Sequence, residues 1–439
     1  MKVMKFGGTS VGSPERIKEV AKLITKGKKD IVVLSAMSGT TNSLVEIADY
    51  YYKGNKEGAG EIINNLRKKY FQHVEELYTT EEMKEKTKKF LNSVFTRLLT
   101  FDKGTFTTDD EKEILSKGEI MSTNMMTNYL NEQGINAVLL SAFTFMRIDR
   151  NSEPEFGYLC DNLTSLLEQE KDADLYITQG YICLNHEDKI DNLKRGGSDY
   201  SASLIGAAIN ADEIQIWTDI DGMHNNDPRI VDKTKAIHQL NFEEAAELAY
   251  FGAKILHPTC VQPAKSAGVP VKLLNTMDPE AEGTVINNDM QPNKIKAVAA
   301  KDNITAIKIV STHMLLATGF LRKVFEIFET YNTSIDLITT SEVGVSMSID
   351  DTSKLSDIVN ELKKYGIVEV DKDMCIICVV GDLRSQNTGF ESAITNALKE
   401  IPIRMISYGG SNHNISFLIH ESDKTKALQA LNNEILNVN

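Results

Sequence analysis

The chain has 439 residues, 41% hydrophobic and 25% charged, with a formal net charge of −14. That length exceeds what one core organises and the composition is globular, so two or three domains are expected, while the negative balance disfavours nucleic acid as a partner. Five scattered cysteines and no apolar run longer than Ala137 to Met146 argue against a disulfide framework and a membrane span, and point to a reducing cytoplasm. The N-terminus enters a strand pattern directly, so no signal peptide is expected.

In chain order, a strand is predicted at Val3 to Phe6, a helix from about Pro14, a strand at Ile31 to Ala36 and a helix after Asn42. From about Tyr52 to Asp110 the chain is rich in Lys, Glu and Asn with helical periodicity, which reads as a helical insertion with solvated charged faces. Strands follow at Ala137 to Ser141, Leu175 to Gln179, Glu213 to Thr218 and Val269 to Leu274, each beside a helical stretch. Such alternation predicts an α/β fold: an open, mostly parallel sheet sandwiched by helices. The polar, turn-prone Asn287 to Asn293 marks a boundary.

Beyond it, two similar β-α-β-β-α units can be read. The first has strands at Ile304 to Val310, Ser334 to Thr339 and Val345 to Asp350, helices at Phe320 to Tyr331 and Lys354 to Tyr365, and a closing strand at Ile367 to Val370. The second has strands at Met374 to Val380, Ile403 to Tyr408 and Ile415 to Ile419, with helices at Phe390 to Leu398 and Lys424 to Asn432. It lacks a closing strand, and the unused Ile295 to Ala300 is expected to cross over and complete it. A repeat of this kind behind a catalytic region suggests a duplicated binding module. Cys375 and Cys378 form a Cys-x-x-Cys inside an apolar strand run, where residues three apart face opposite sides, so neither redox chemistry nor a metal centre is read from them.

Three small-residue loops carry chemistry. In Lys5-Phe-Gly-Gly-Thr-Ser-Val-Gly12 a lysine ends a strand, two glycines form the turn and a helix follows; this suits a phosphate, although there is no Walker A pattern and a tight βα turn is the plain alternative. Ser35-Ala-Met-Ser-Gly-Thr-Thr-Asn42 follows the next strand, and loops at the carboxyl ends of neighbouring parallel strands face one crevice. Lys194-Arg-Gly-Gly-Ser-Asp199 opens a helix with an arginine fit for a carboxylate and an acid fit for an ammonium; Ser198 or Asp199 as a helix cap is the alternative.

With Lys117-Gly-Glu-Ile-Met-Ser122, Trp217-Thr-Asp219, Asp227-Pro-Arg229, Phe251-Gly-Ala-Lys-Ile-Leu-His-Pro258 and Ile335-Asp-Leu-Ile-Thr-Thr-Ser-Glu342, these motifs span nearly the whole chain in one order. The chain resembles the aspartate kinases of the amino-acid kinase family, specifically the monofunctional, lysine-sensitive type with C-terminal ACT domains. The resemblance implies an amino-acid kinase fold over residues 1–286, with the helical insertion at about 52–110, followed by two ferredoxin-like βαββαβ ACT domains at 302–371 and at 295–301 plus 372–439.

It further implies that ATP, with Mg²⁺ held mainly through the nucleotide, phosphorylates the side-chain carboxylate of L-aspartate to β-aspartyl phosphate (4-phospho-L-aspartate) in lysine, threonine and methionine biosynthesis. Lys5 and Asp199 would be catalytic, with Lys5 on the transferring phosphoryl group and Phe6, Gly7 and Gly8 shaping its cradle. Thr41, Glu119, Arg195, Gly196, Gly197, Ser198 and Asp199 would hold the amino acid. Thr218, Asp219, His224, Arg229 and Lys254 would surround the nucleotide; His224 stands where relatives commonly carry a tyrosine.

Lysine would be an allosteric inhibitor at Met314, Gly319, Phe320, Leu321, Asp336, Thr340, Ser341 and Glu342, with Ala317 where a serine is often found. The ACT domains would form a homodimer, or a tetramer built on it. No third catalytic region for a fused homoserine dehydrogenase is expected. Two other readings are another carboxylate kinase of the same family and a catalytically silent amino-acid sensor.

Overall fold

The computed structural model describes residues 1–436 apart from 28, 103, 194–195, 253–256, 312–317 and 385. Its chain divides into two compact units, one of residues 1–223, 238–242 and 255–288, the other of residues 224–237, 243–254 and 289–439.

The first unit runs β1 (Lys2–Phe6), α1 (Pro14–Ile24), β2 (Ile31–Leu34), α2 (Thr40–Tyr52), α3 (Lys56–Leu77), α4 (Glu81–Leu99), α5 (Thr108–Glu132), β3 (Ala137–Leu140), α6 (Phe156–Gln169), β4 (Leu175–Gln179), β5 (Ile182–Leu184), β6 (Ile190–Asn192), α7 (Gly197–Ala208), β7 (Glu213–Thr218), β8 (Gln239–Asn241), the start of α8 (Phe242–Tyr250), α9 (Pro258–Ala267), β9 (Val271–Asn275) and β10 (Thr284–Asn287). Its main sheet has the order β3-β4-β2-β1-β7-β9-β10-β8, parallel from β3 to β9, with β10 antiparallel to β9. All four residues of β2, Ile-Val-Val-Leu, are buried, as a parallel strand covered on both faces requires. α1 starts sharply because the Ser13 side chain accepts from the Arg16 N–H and Pro14 needs no donor there, and its stripe Ile17, Val20, Ala21 and Ile24 is buried at helical spacing.

The segment predicted as a helical insertion is α3, α4 and the adjoining ends of α2 and α5. Its charged faces are solvated, but its other face is core: Tyr70, Tyr78, Leu91 and Phe95 join Phe6, Leu34, Leu44, Met121 and Met125 in one cluster. α5 is held at its start by a reciprocal capping box between Thr107 and Asp110. Its later turns, from Ser116 to Leu130, are mostly buried, polar residues included.

The second unit contains residues 243–250 of α8, then β11 (Ile295–Val310), α10 (Phe320–Thr330), β12 (Leu337–Thr340), β13 (Gly344–Ile349), α11 (Leu355–Leu362), β14 (Ile367–Gly381), α12 (Phe390–Ala397), β15 (Ile403–Tyr408), β16 (Asn414–His420) and α13 (Lys424–Leu431). These strands form one antiparallel sheet in the order β12-β13-β11-β14-β16-β15. Val310 to Thr305 pair with β13, whereas Ile295 to Lys301 pair with the later half of β14, which in turn pairs with β16.

Four short strands expected from the sequence are therefore two long ones, β11 of 16 residues and β14 of 15. The turn-prone interruptions do not end them because Asn303 (φ 60°) and Asp373 (φ 56°) take the left-handed backbone that Asn and Asp tolerate, and the shift in register between Lys301 and Ala306 absorbs the irregularity. The Cys-x-x-Cys lies in β14 with both thiols free and fully buried. No described helix is long and apolar enough to cross a membrane.

Candidate active site

β1, β2, β4 and β7 lie side by side and parallel, so the loops after them converge at one sheet edge. The pairing of Phe6 with both Leu34 and Trp217 sets the end of β1 level with the ends of its neighbours. Gly7 N–H donates to the Trp217 carbonyl (3.4 Å), Ser35 N–H to the Phe6 carbonyl (3.2 Å), Ser38 N–H to the Gly8 carbonyl (3.1 Å) and Gly180 N–H to the Leu34 carbonyl (3.0 Å). Gly8 is obligatory: an added Cβ would meet the Ala36 carbonyl oxygen at 2.7 Å.

Lys5 extends from β1 over this loop, and its Nζ is 2.6 Å from Oδ1 of Asp199 in the first turn of α7; the two side chains are 12% and 16% exposed. α7 and α2 each begin at a left-handed glycine, Gly196 and Gly39 (both φ 79°), with no side chain capping the helix start. Two helix N-termini at the same edge give it a partial positive charge suited to anions. Ser35 Oγ donates to Ser198 Oγ (2.9 Å), joining the second and third loops.

Glu119 is 5% exposed on α5, and it accepts the Ala36 N–H at 3.1 Å. Burial pushes its carboxyl up to about 7, and that hydrogen bond offsets the shift only in part. Thr41 is exposed in the first turn of α2. Gly197 and Ser198 start α7 beside Asp199. Arg195 and Lys254 lie outside the described residues.

Thr218 ends β7; its hydroxyl donates to Asp219 Oδ1 (3.2 Å), and its carbonyl accepts from the Thr276 N–H (2.8 Å). Phe6 contributes a fully buried ring stacked on Trp217 at 5.6 Å, so only its backbone can face the crevice. In the second unit, Asp227 grips Arg229 through two carboxylate oxygens (2.9 and 2.7 Å), and the His224 ring bonds Thr234 Oγ1 (2.9 Å).

Among the residues expected to bind an effector, Gly319 (φ 86°) opens α10 without a side-chain cap, Phe320 is buried and Leu321 is exposed. Thr340, Ser341 and Glu342 are exposed at the end of β12 and in the turn after it; Met314 lies outside the described residues. Asp336 is buried: its Oδ1 takes the Lys301 ammonium (2.7 Å) and the Tyr250 hydroxyl (2.8 Å). Lys301 and Tyr250 were not legible, being distant in sequence from Asp336.

Tyr181 was also missed. It follows β4 at φ 68°, donates its N–H to Ser201 Oγ (2.9 Å) and packs against Gly197. The rule that loops at adjacent strand ends share a crevice could have found it, because Gly180-Tyr181 ends the strand next to β2. Among the described residues no three His, Cys, Asp or Glu side chains gather as a metal site.

The profile of the amino acid kinase family matches residues 1–275, and that of an ACT domain matches residues 377–435. The lysine-sensitive aspartokinase 3 of Escherichia coli strain K12 is 34% identical over 448 residues, 99% of this chain and 98% of that protein. The chloroplastic aspartokinase 1 of Arabidopsis thaliana is 34% identical over 98% of this chain and 79% of its own length. Among solved structures, E. coli aspartokinase III in complex with aspartate and ADP, described as its R-state, superposes with a TM-score of 0.85 at 32% identity over all of both chains. On its sequence, its fold and the loops gathered at one sheet edge, the chain belongs to the amino acid kinase family, and within it to the aspartokinases.

Proposed function

We infer that this chain is an aspartate kinase, an ATP-dependent phosphotransferase that moves the γ-phosphoryl group of ATP to the β-carboxylate of L-aspartate, giving 4-phospho-L-aspartate and ADP. The observation that carries this reading is the Lys5–Asp199 pair set among glycine-rich loops and two uncapped helix starts. A carboxylate with an ordinary pKa of about 3.9 is already ionised at neutral pH, so the nucleophile needs no general base. One carboxylate oxygen attacks the γ-phosphorus while the bond to the β,γ-bridging oxygen breaks, and the electron pair leaves with ADP. The work left to the protein is alignment and neutralisation of two anions.

In this reading Lys5 neutralises charge on the transferring group, and Gly7 and Gly8 bring backbone close to it. Glu119 and Asp199 receive the α-ammonium, Arg195 grips the α-carboxylate, and Thr41, Gly196, Gly197 and Ser198 complete the amino-acid site. Thr218, Asp219, His224, Arg229 and Lys254 serve the nucleotide. The donor set fits Mg²⁺ carried by the nucleotide: Asp199 is held by Lys5 and Asp219 by Thr218, and no cluster of acids forms a cage among the described residues. When bound, the ion would supply neutralisation of phosphate charge.

The second unit supports a reading as two ACT modules, at 302–371 and at 295–301 plus 372–439, behind a kinase region at 1–286. Lysine is proposed as its inhibitor, because the E. coli relative is named for sensitivity to it and another structure of that protein, with a TM-score of 0.81, contains lysine and aspartate. A homodimer through the second unit is proposed as well, which light scattering on the full chain would test. Five free cysteines fit a cytoplasmic enzyme.

A coupled ADP-release assay with aspartate, glutamate and acetylglutamate tests the whole reading. Aspartate-dependent release that disappears in Lys5→Ala supports it. Release with another acid instead assigns a different carboxylate substrate, and no release with any of them favours a silent sensor.

A further inference from the structure

The segment from about 52 to 110 reads from sequence as a helical insertion, yet two consecutive side chains of α3 reach the second of the three loops. Tyr70 is 0% exposed, and its hydroxyl is 2.9 Å from Oγ1 of Thr40, itself 0% exposed and the first residue of α2. Lys69 donates from Nζ to the Ser38 carbonyl at 3.0 Å. The same Ser38 residue donates its N–H to the Gly8 carbonyl at 3.1 Å, so α3 connects through one residue to the glycine turn after β1.

Gly39 stands between the two contacts in the left-handed region (φ 79°), at the start of a helix that no side chain caps. Glycine there is permissive and does not by itself hold one conformation. From the other side α5 hydrogen-bonds the first part of the loop, where Glu119 accepts the Ala36 N–H (3.1 Å) and Ser122 Oγ donates to the Ser35 carbonyl (2.8 Å), while Gly118 of α5 lies beside the Thr40 methyl without a hydrogen bond. The hydrogen bonds that side chains outside the loop make to Ser38 and Thr40 come from α3.

We propose that Lys69 and Tyr70 are positioning residues for phosphoryl transfer, fixing the Ser38-Gly39-Thr40 turn so that the Gly8 cradle and the start of α2 meet their ligands in register. The proposal rests on the kinase reading for its functional half; the loop-holding half stands on geometry. The Lys69 ammonium also polarises the Ser38–Gly39 peptide, and with it the Gly39 N–H at the start of α2, which a neutral side chain of equal length cannot do. An error in loop position of the order of 1 Å costs a displacement reaction far more than it costs ground-state binding.

The test uses the full chain with Lys69→Met, Lys69→Arg and Tyr70→Phe. Amide hydrogen exchange is read without ligands across residues 35–42, with α4 as internal reference. Steady-state kinetics are read with aspartate and ATP. The expected result is exchange at 35–42 at least about fivefold faster in Lys69→Met and Tyr70→Phe with α4 unchanged, kcat lowered about tenfold, KM for both substrates within about threefold, and Lys69→Arg close to the parent. Unchanged exchange at 35–42, faster exchange in α4 to the same degree, unchanged kcat, or Lys69→Arg as impaired as Lys69→Met overturns the proposal. A parent without aspartate-dependent ADP release sinks the kinase reading instead, and the exchange data then decide the loop-holding alone.

Discussion

Lys301 Nζ lies 2.7 Å from Oδ1 of Asp336, so the carboxylate proposed to meet an effector's ammonium already holds an ammonium of its own chain. Lys301 also pairs with Asp350 (2.9 Å), and the three groups together carry two negative charges and one positive, leaving one negative charge for one incoming cation. The second oxygen of Asp336, Oδ2, is buried with no hydrogen-bond partner among the described residues. Burial raises the Asp336 carboxyl above its ordinary value, and the Lys301 pairing offsets this only partly.

Asp336→Asn should therefore raise the lysine concentration for half-inhibition about tenfold or more, since a charged hydrogen bond is worth about 1.5–3 kcal/mol. Lys301→Met leaves two uncompensated carboxylates and should lower that concentration a few-fold. Activity titrations with lysine, threonine and methionine read both. A parent that ignores lysine, or two variants that shift in the same direction, would show that this cluster does not set the response.

Lys5→Ala removes the cation beside the glycine turn and also frees Asp199 from its partner. Loss of one preorganised donor to a transition state costs about 10²–10³ in turnover, and at least that is expected here with the fold intact by circular dichroism. Turnover within a few-fold of the parent would remove Lys5 from the mechanism.

Gly8→Ala sets a methyl 2.7 Å from the Ala36 carbonyl oxygen, a backbone atom that cannot swing away, so the first two loops must part. More than about tenfold loss of kcat/KM for ATP is expected, with a melting temperature near that of the parent because the strain can be relieved at the crevice. Full activity in this variant would mean that the Gly8 turn does not approach the phosphates.

Glu119, pushed up to about 7 by burial, is partly protonated at neutral pH in the unliganded protein. Only its ionised form can pair with an α-ammonium, so kcat/KM for aspartate should rise with pH through about 7 and level off above; Glu119→Gln should lower the plateau and flatten the rise. Stability has the opposite sign. The folded-state value lies above the ordinary 4.5, so the unliganded chain loses stability from this group as pH rises from about 4.5 to about 7, with no further change above. Melting temperatures of parent and Glu119→Gln across that window check the sign.

The strands that build the site were legible because runs such as Ile31 to Leu34 are apolar throughout and end at glycine-rich turns. The loops were legible for the same reason, and their convergence follows from parallel neighbours. Burial of Glu119 was not, since its helix alternates polar and apolar residues without a clear stripe and is covered by elements far away in the chain. Nor were the contacts of Lys69 and Tyr70, whose partners lie about thirty residues upstream. The continuity of β11 and β14 was hidden because Lys-Asp-Asn and Asp-Lys-Asp look like turns, and only the partner strand reveals that the ladder carries on through them.

That shared ladder governs how the second unit comes apart. β11 and β14 each run through both halves of the sheet, so melting either half would strip backbone partners from the other and expose fresh strand edges. The unit should therefore unfold as one cooperative block, with spectroscopic labels in α10 and in α12 losing their signals at the same denaturant concentration, and a cleavage near residue 372 would destroy both halves instead of releasing two domains.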